Sequence, residues 1–425
     1  MKYRSIIVIV FVALFFAPSI SSAQHQVEFT PSLSVSEMYD DNLYLDDTNE
    51  QYDYITTISP GINVDILSQK GHLELAYAPT FVMYNKEDQN DTVRHSGNLT
   101  FDQELAQHLS FGLFDTYIKS EEPIEETEGI EGVRDTRNPY WRNTFQTHLR
   151  YVFGAENIFS LGYHHIMLEN EDITIDDGIT QEPFVNLTYW FNTKNGMELN
   201  SQYIKADFSR DDDTLSGDDY TGSDAGVRYL HRFTPHTMGF IGYNLTGRNL
   251  EGLSEDYKVH EGIVGFEHSF YQGFSLTFSG GYFVQEIEGI EDSDDVSGYS
   301  YDMTLTRTFE RGTISIGGQG GYREAYLEAE RRGFTRYQGG NAGFEYQVME
   351  RLSNYANGSY TRNKDPDDQE WKTINTNYGF RWTVLPWLSA SLDYSYYTRD
   401  DEIDVNDYNR NRVMVIFTAI KPFRY

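Results

Sequence analysis

The feature that most constrains this chain is a two-residue alternation of apolar and polar side chains. Trp141, Phe145, Leu149, Tyr151 and Phe153 share one parity, and Arg142, Thr144, Gln146, His148 and Arg150 the other. Phe274, Leu276, Phe278, Tyr282 and Val284 oppose Ser275, Thr277, Ser279 and Gln285; Leu388, Ala390, Leu392, Tyr394 and Tyr396 oppose Ser389, Ser391, Asp393 and Arg399. A β-strand sends successive side chains to opposite faces, so each run has one greasy and one wet face. A helix would need apolar residues at i, i+3 and i+4, and that spacing does not persist after the first residues.

The runs are separated on a regular beat. Short turn-like segments near Gln69, Gln107, Ala155, Asn195, Pro235, Gln272, Arg311, Glu350 and Pro386 recur every 36 to 48 residues. Roughly midway between them lie longer acidic segments, such as 40–53, 121–131, 207–219 and 286–295. Ten such segments hold 46 of the 66 acidic residues. Nine turns and ten loops predict about twenty antiparallel strands, with sixteen to twenty as the range. A β-propeller would divide each 40-residue repeat into four short strands. Here each repeat carries two long ones, as in a transmembrane barrel with short turns on one side and long loops on the other. The fold class expected is all-β, a transmembrane antiparallel up-and-down barrel. The mean hydropathy of −0.57 conceals this, because only every second residue would face lipid.

Composition excludes other classes. A net charge of −33 is wrong for a nucleic-acid binder, which needs a basic stripe. The absence of Cys removes disulfide scaffolds and thiolate zinc sites. The 33 Tyr, 27 Phe and 5 Trp supply more apolar surface than disordered chains carry.

The ends fit the same picture. Lys2 and Arg4, the apolar run from Ile6 to Ala17, and Ser21-Ser22-Ala23 read as a signal peptide over 1–23, with one barrel domain over 24–425. The first strand, near Ser32–Tyr39, is expected to pair with the last, near Tyr408–Ile420, leaving no open edge. In lipid every backbone N–H and C=O must bond within the protein, and closure achieves that. Phe417, Phe423 and the terminal Tyr425 share a face, like the signal that outer-membrane barrels present to their assembly machinery.

Ser34 to Leu45 reads Ser-Val-Ser-Glu-Met-Tyr-Asp-Asp-Asn-Leu-Tyr-Leu; Ile58-Ser59-Pro60-Gly61 and Leu73-Glu74-Leu75-Ala76-Tyr77 follow. These segments resemble the N-terminal part of a family of outer-membrane barrels associated with exopolysaccharide biosynthesis and export, including members near exosortase systems. The match covers roughly residues 31–85. The resemblance implies a porin-like barrel for polysaccharide traffic in a Gram-negative outer membrane, with periplasmic export components as partners, and supplies no catalytic residues.

The polar parity nominates Arg142, Arg150, Asp224, Arg228, Arg232, Glu345, Arg381, Asp393, Arg399, Arg410 and Arg412 as lumen-lining. Most are guanidiniums, which fork onto carboxylates or phosphates, so such a wall could bind an anionic chain. The alternative is that they pair with acids on neighbouring strands. Asp211, Asp212, Asp213, Asp292 and Asp294 offer hard oxygen ligands with which Ca²⁺ or Mg²⁺ would bridge the loops to lipopolysaccharide, though the spaced calcium-loop pattern is missing. Aromatic residues near strand ends (Trp141, Tyr299, Tyr301, Trp371, Trp382, Trp387, Tyr425) suit interfacial girdles. Tyr39, Tyr44, Tyr220, Tyr257 and Tyr408 near the loops are candidates for stacking on sugars. No nucleophile elbow, Walker loop or His-Glu-x-x-His motif is present, so no enzyme is expected. Two functions remain from the sequence: a conduit for saccharide, or a barrel that displays acidic loops as adhesin, receptor or cation bridge without a large pore.

Overall fold

The computed structural model describes residues 26–122, 137–172, 176–209, 219–251, 255–270, 273–287, 296–325, 333–364, 369–402 and 406–425. Each alternating run becomes a strand. In chain order they are β1 (Gln26–Asp40), β2 (Asp53–Leu67), β3 (Gly71–Tyr84), β4 (Thr92–Ala106), β5 (Leu109–Ser120), β6 (Tyr140–Phe153) and β7 (Asn157–Asn170). Next come β8 (Asp177–Trp190), β9 (Asn195–Ser209), β10 (Asp219–Thr234), β11 (Thr237–Glu251), β12 (Tyr257–Phe270), β13 (Phe274–Ile287) and β14 (Val296–Phe309). The last are β15 (Gly312–Ala325), β16 (Gly333–Met349), β17 (Leu352–Lys364), β18 (Glu370–Leu385), β19 (Leu388–Asp401), β20 (Tyr408–Ile420) and the two-residue β21 (Phe423–Arg424).

From β1 to β20 every strand pairs antiparallel with its chain neighbour. The cylinder closes where β1 meets β20, from Ser32↔Ile420 to Asp40↔Arg412. Pro422, which has no N–H, separates β20 from β21, yet the register carries on at Phe29↔Phe423. Tyr425 completes the seam, its amide donating to the Val27 carbonyl at 2.8 Å. Connections after even-numbered strands span two to four residues and those after odd-numbered strands five to nineteen, so turns and loops lie at opposite ends. Both the strand count and the closure agree with the alternation and the beat.

The alternation sets the two faces. Leu33, Val35, Ile58, Ile62, Leu75, Phe81, Leu161, Val264, Leu392, Val415 and Phe417 are exposed on the outside. An apolar belt of this extent is stable in hydrocarbon and not in water. No helix among the described residues is long and apolar enough to cross a membrane, and here the strands do so. The chain is a transmembrane antiparallel β-barrel. Trp382, Trp387, Tyr299 and Tyr425 are exposed at strand ends, as girdle residues should be. Trp371 differs: its parity on β18 points it inward, where Arg399 lies over its ring at 5.8 Å.

Two neighbouring strands change parity: on β16, Glu345 faces inward near the turn and Phe334, of opposite parity, packs into the interior near the loops. Ile314 and Ile316 on β15 face outward, whereas Tyr322, of the same parity, packs into the interior. Gly321 stands between them at φ 156, a backbone setting that L side chains rarely adopt.

Candidate functional site

Twenty strands enclose more space than their own side chains would ordinarily fill. At the loop end, however, the inner wall is packed. Asp40 and Arg410 face inward by parity and both are 0% exposed, which is incompatible with an open water column beside them.

The site is built from the Tyr39-Asp40-Asp41-Asn42 segment at the end of β1. Arg410, at the start of β20, donates from Nε to Asp40 Oδ1 at 3.0 Å and Oδ2 at 3.1 Å across the seam. Asp41 accepts the Asn411 amide at 2.6 Å and its Nδ2 at 2.7 Å. Asn42 Nδ2 donates to the carbonyls of Asp46 and Asn409, fastening the β1–β2 loop to the last strand. Asp53 accepts the amides of Lys86 and Glu87, at 3.0 and 2.9 Å, and so holds the β3–β4 loop. These acids are staples between strands and not merely solvated charge.

A second layer comes from either side of the β5–β6 connection. Arg137 donates from Nε to the Leu43 carbonyl at 2.7 Å and from Nη1 to the Tyr84 hydroxyl at 3.0 Å. Tyr84 donates to Glu121 at 2.9 Å, and Arg94 Nε reaches both Glu121 oxygens at 3.0 Å. Glu122 sits among four guanidiniums. Its Oε1 lies 2.6 Å from Arg94 Nη2 and 3.3 Å from Arg137 Nη1; its Oε2 lies 3.7 Å from Arg412 Nη1 and 3.9 Å from Arg410 Nη2. Burial pushes the Glu122 carboxyl up, but Arg137, Arg94, Arg410 and Arg412 outweigh it and hold the group well below the usual carboxylate range. Met38, Leu43, Ile55, Val82 and Tyr84 pack beneath this network.

The other half of the mouth is sealed by apolar contacts. Tyr140, Leu168, Ile204, Phe208, Tyr220, Tyr257, Val259, Phe283 and Phe334 form one buried cluster. Tyr257 on β12 and Phe334 on β16 are four strands apart along the wall, yet their rings are 6.2 Å apart. Arg248 on β11 bonds Asp224 at 2.8 Å and Glu324, on β15, at 2.6 Å. Such contacts require the inward faces to converge, so the lumen is pinched here. Tyr220, Tyr257 and Tyr408 are buried in this mouth, which removes them as surfaces for sugar stacking. Tyr44 is half-buried and held by Glu87 and Asn90.

The turn end is more open. Arg150 is exposed there, and Arg381 and Glu345 line a cleft of about 370 Å³ with Arg311, Glu350 and Arg351. Arg232 bonds Glu156 and lies 3.6 Å over the Trp190 ring. Between the ends, Arg228 lies 5.3 Å over Phe240 and Asp393 accepts from Ser391 at 3.0 Å. Arg399 pairs with Asp401 at 2.8 Å, and Arg142 is half-buried on the inner face of β6. The eleven nominated residues therefore share the inner face but do not form one constellation: Arg410, Arg412, Arg399 and Asp224 belong to the sealed mouth, Arg150, Arg232, Glu345 and Arg381 to the turn end. Pairing with acids describes the first group well.

Arg94, Arg137, Arg248, Glu121, Glu122 and Glu324 were not among the nominations. Arg94 and Arg248 were within reach, since each lies on the polar parity of its strand; Arg137, Glu121 and Glu122 sit in a connection, where alternation carries no information, and Glu324 lies beyond the parity change of β15. Asp211, Asp212, Asp213, Asp292 and Asp294 lie outside the described residues. Among the described ones, Asp65, His72 and Glu74 bring donor atoms within 4.8 Å of one another on the inner face near the turns and could hold a metal ion. His72 Nε2 and Asp65 Oδ2 are already hydrogen-bonded at 3.0 Å.

The siderophore receptor PirA of Pseudomonas aeruginosa superposes with a TM-score of 0.52 at 8% identity, over 92% of this chain and 80% of that one. The outer membrane protein OpdK of the same organism gives 0.46 at 10% identity, over 93% and 99%. Acinetobacter baumannii OccAB4 gives 0.45 at 13% identity, over 93% and 98%. At these identities the likeness is one of fold. No family model matches the chain, and no curated protein matches it by sequence.

Proposed function

We propose that this barrel is a porin-like conduit of the Gram-negative outer membrane serving passage of saccharide, with an exopolysaccharide as cargo, and that its loop-side mouth is closed at rest. The observation that carries the reading is the inner wall. Twenty strands present a polar, arginine-bearing face that stays accessible at the turn end, where Arg311, Arg351 and Arg381 line a cleft together with Glu345 and Glu350 and Arg150 is exposed on another part of the wall, while the loop end is packed. Arginines accessible on the turn side suit a polymer that is anionic and arrives from the periplasm. The resemblance of residues 31–85 to exopolysaccharide-associated barrels points the same way, with periplasmic export components supplying the chain and the assembly machinery reading Phe417, Phe423 and Tyr425.

The test is reconstitution of the whole protein in planar bilayers and vesicles. Low resting conductance, anion preference once open, and uptake of acidic oligosaccharides are expected. Clear cation preference, or no saccharide flux under any opening condition, overturns the reading. The buried mouth favours a second reading in that event: a barrel that displays its acidic loops for adhesion, reception or cation-bridged contact with lipopolysaccharide, without a large pore.

A further inference from the structure

Beside the β2–β3 turn the inner face carries a group of donors that belongs neither to the turn-end cleft nor to the packed mouth. Asp65 and Glu74 are direct cross-strand partners, and His72 lies two residues before Glu74 on the same face. That face is the inner one, because Ile62, Leu75 and Tyr77, of opposite parity, are exposed on the outer wall. Like charges placed opposite each other on a sheet destabilise it. Among the described residues His72 is the ion-pair partner of Asp65, and Glu74 has none. The register adds two more acids, Asp102 opposite His72 on β4 and Glu28 opposite Asp65 on β1. Arg424 reaches this patch, but its Nε donates to Glu28 at 2.6 Å.

The geometry is that of ligands around one ion. Donor atoms of Asp65, His72 and Glu74 lie within 4.8 Å of one another. His72 Nε2 and Asp65 Oδ2 are 3.0 Å apart. Two ligands bound at about 2.0–2.1 Å to a tetrahedral zinc ion are separated by about 3.3 Å, so this pair already spans one edge of a coordination sphere. Glu74 Oε1 accepts from Asn63 Nδ2 at 2.7 Å, which orients the carboxylate and leaves its second oxygen for an ion. Asp65 and His72 are each 31% exposed, supported by the wall and open to the lumen.

We propose that Asp65, His72 and Glu74 form a binding site for a divalent transition-metal ion of the zinc class on the inner wall at the turn end. An imidazole and two carboxylates suit such an ion, whereas Ca²⁺ takes about six to eight oxygens and Mg²⁺ an octahedron of them. The ion takes the place of the proton between Nε2 and Oδ2, leaving the imidazole neutral and protonated on Nδ1. It neutralises the facing carboxylates and clamps β2 to β3. Three protein ligands leave a position toward the lumen, where water or an oxygen of a solute completes the sphere. Nothing in this site depends on the cargo proposed above.

The experiment is calorimetric titration of the untagged full chain, folded in detergent and stripped with EDTA, with ZnCl₂, CaCl₂ and MgCl₂ in separate runs, beside absorption spectroscopy with Co²⁺. The parent is expected to bind a first equivalent of Zn²⁺ at least about tenfold more tightly than Ca²⁺ or Mg²⁺. His72→Gln is expected to lose that equivalent together with the nitrogen-ligated cobalt bands. Asn63→Ala, which removes only the outer hydrogen bond, is expected to weaken it about tenfold. His148→Gln, elsewhere on the inner face, is expected to change nothing. An unchanged first equivalent in His72→Gln, Ca²⁺ bound as tightly as Zn²⁺, or an equal loss in His148→Gln overturns the site. Folding of each variant is read by heat-modifiable migration. Should His72→Gln not fold, Asp65→Asn and the parent cobalt spectrum decide: retained zinc in the first, or oxygen ligands alone in the second, overturns the site.

Discussion

Two cations of strand walls behave in opposite ways. Arg410 is fully buried on Asp40, whereas Lys372 and Asp400 make an exposed pair at 3.3 Å. Removing one partner of a buried pair leaves an uncompensated charge at a cost of about 3–5 kcal/mol, while exposed pairs contribute about 0–1 kcal/mol. Asp40→Asn is therefore expected to lower the urea midpoint of the vesicle-inserted barrel markedly, and Lys372→Gln to leave it in place. Glu122 adds a pH signature. Its folded carboxyl is held below the ordinary range by four guanidiniums, so its stabilisation is complete above the unfolded carboxylate value and is lost as pH falls through and below it. Melting of the parent should decline on acidification more steeply than that of Glu122→Gln; parallel curves would show that the cluster contributes nothing.

For a strand, identity matters less than parity. Leu392 and Asp393 are adjacent on β19, the first exposed to lipid and the second turned inward beside Ser391. Arg placed on the lipid face near the midplane of a barrel costs about 2–4 kcal/mol, and polar exchange on the lumen face far less. Leu392→Arg should impair insertion and stability, and Asp393→Asn should be tolerated, as read by the heat-modifiable folded fraction. The reverse ranking would mean that the faces are swapped. The seam belongs to this scale too. Removing Phe423, Arg424 and Tyr425 deletes the pairs Glu28↔Arg424 and Phe29↔Phe423 and the amide bond to Val27. Slower assembly with a normal endpoint is expected, measured by the time course of folding into vesicles with assembly machinery present.

Over the whole barrel, the pinch at the loop end governs what twenty strands can conduct. The apolar packing at the loop end rests on rings that meet over the inner wall, Phe283 and Phe334 at 6.0 Å and Phe283 and Tyr322 at 5.0 Å. Phe283→Ala with Phe334→Ala should raise single-channel conductance well above the parent while leaving ion preference unchanged, since no charge is altered. An unchanged conductance would place the main barrier elsewhere.

The barrel itself was legible because alternation is a local property. Side-chain direction in a strand depends only on parity, so Arg142, Asp224, Arg381 and Arg410 could be placed on the inner face from their neighbours alone. The ten acidic loops and nine turns likewise announced themselves by composition, and the pairing of Ser32–Tyr39 with the last strand followed from the demand that no edge be left in lipid. What alternation cannot carry is distance across the lumen. Whether an inward arginine stays exposed, as Arg150 does, or meets a carboxylate four strands away, as Arg248 meets Glu324, depends on how the wall curves. The same limit hid the mouth: Tyr257 looks like an ordinary inner-face residue and Phe334, of the parity opposite to Glu345, like an outer one, until the closed cylinder brings them together. Local chemistry was enough to roll the sheet; only the closed molecule decides which of its inward groups touch, because contact across a cavity is set by the curvature of the whole wall.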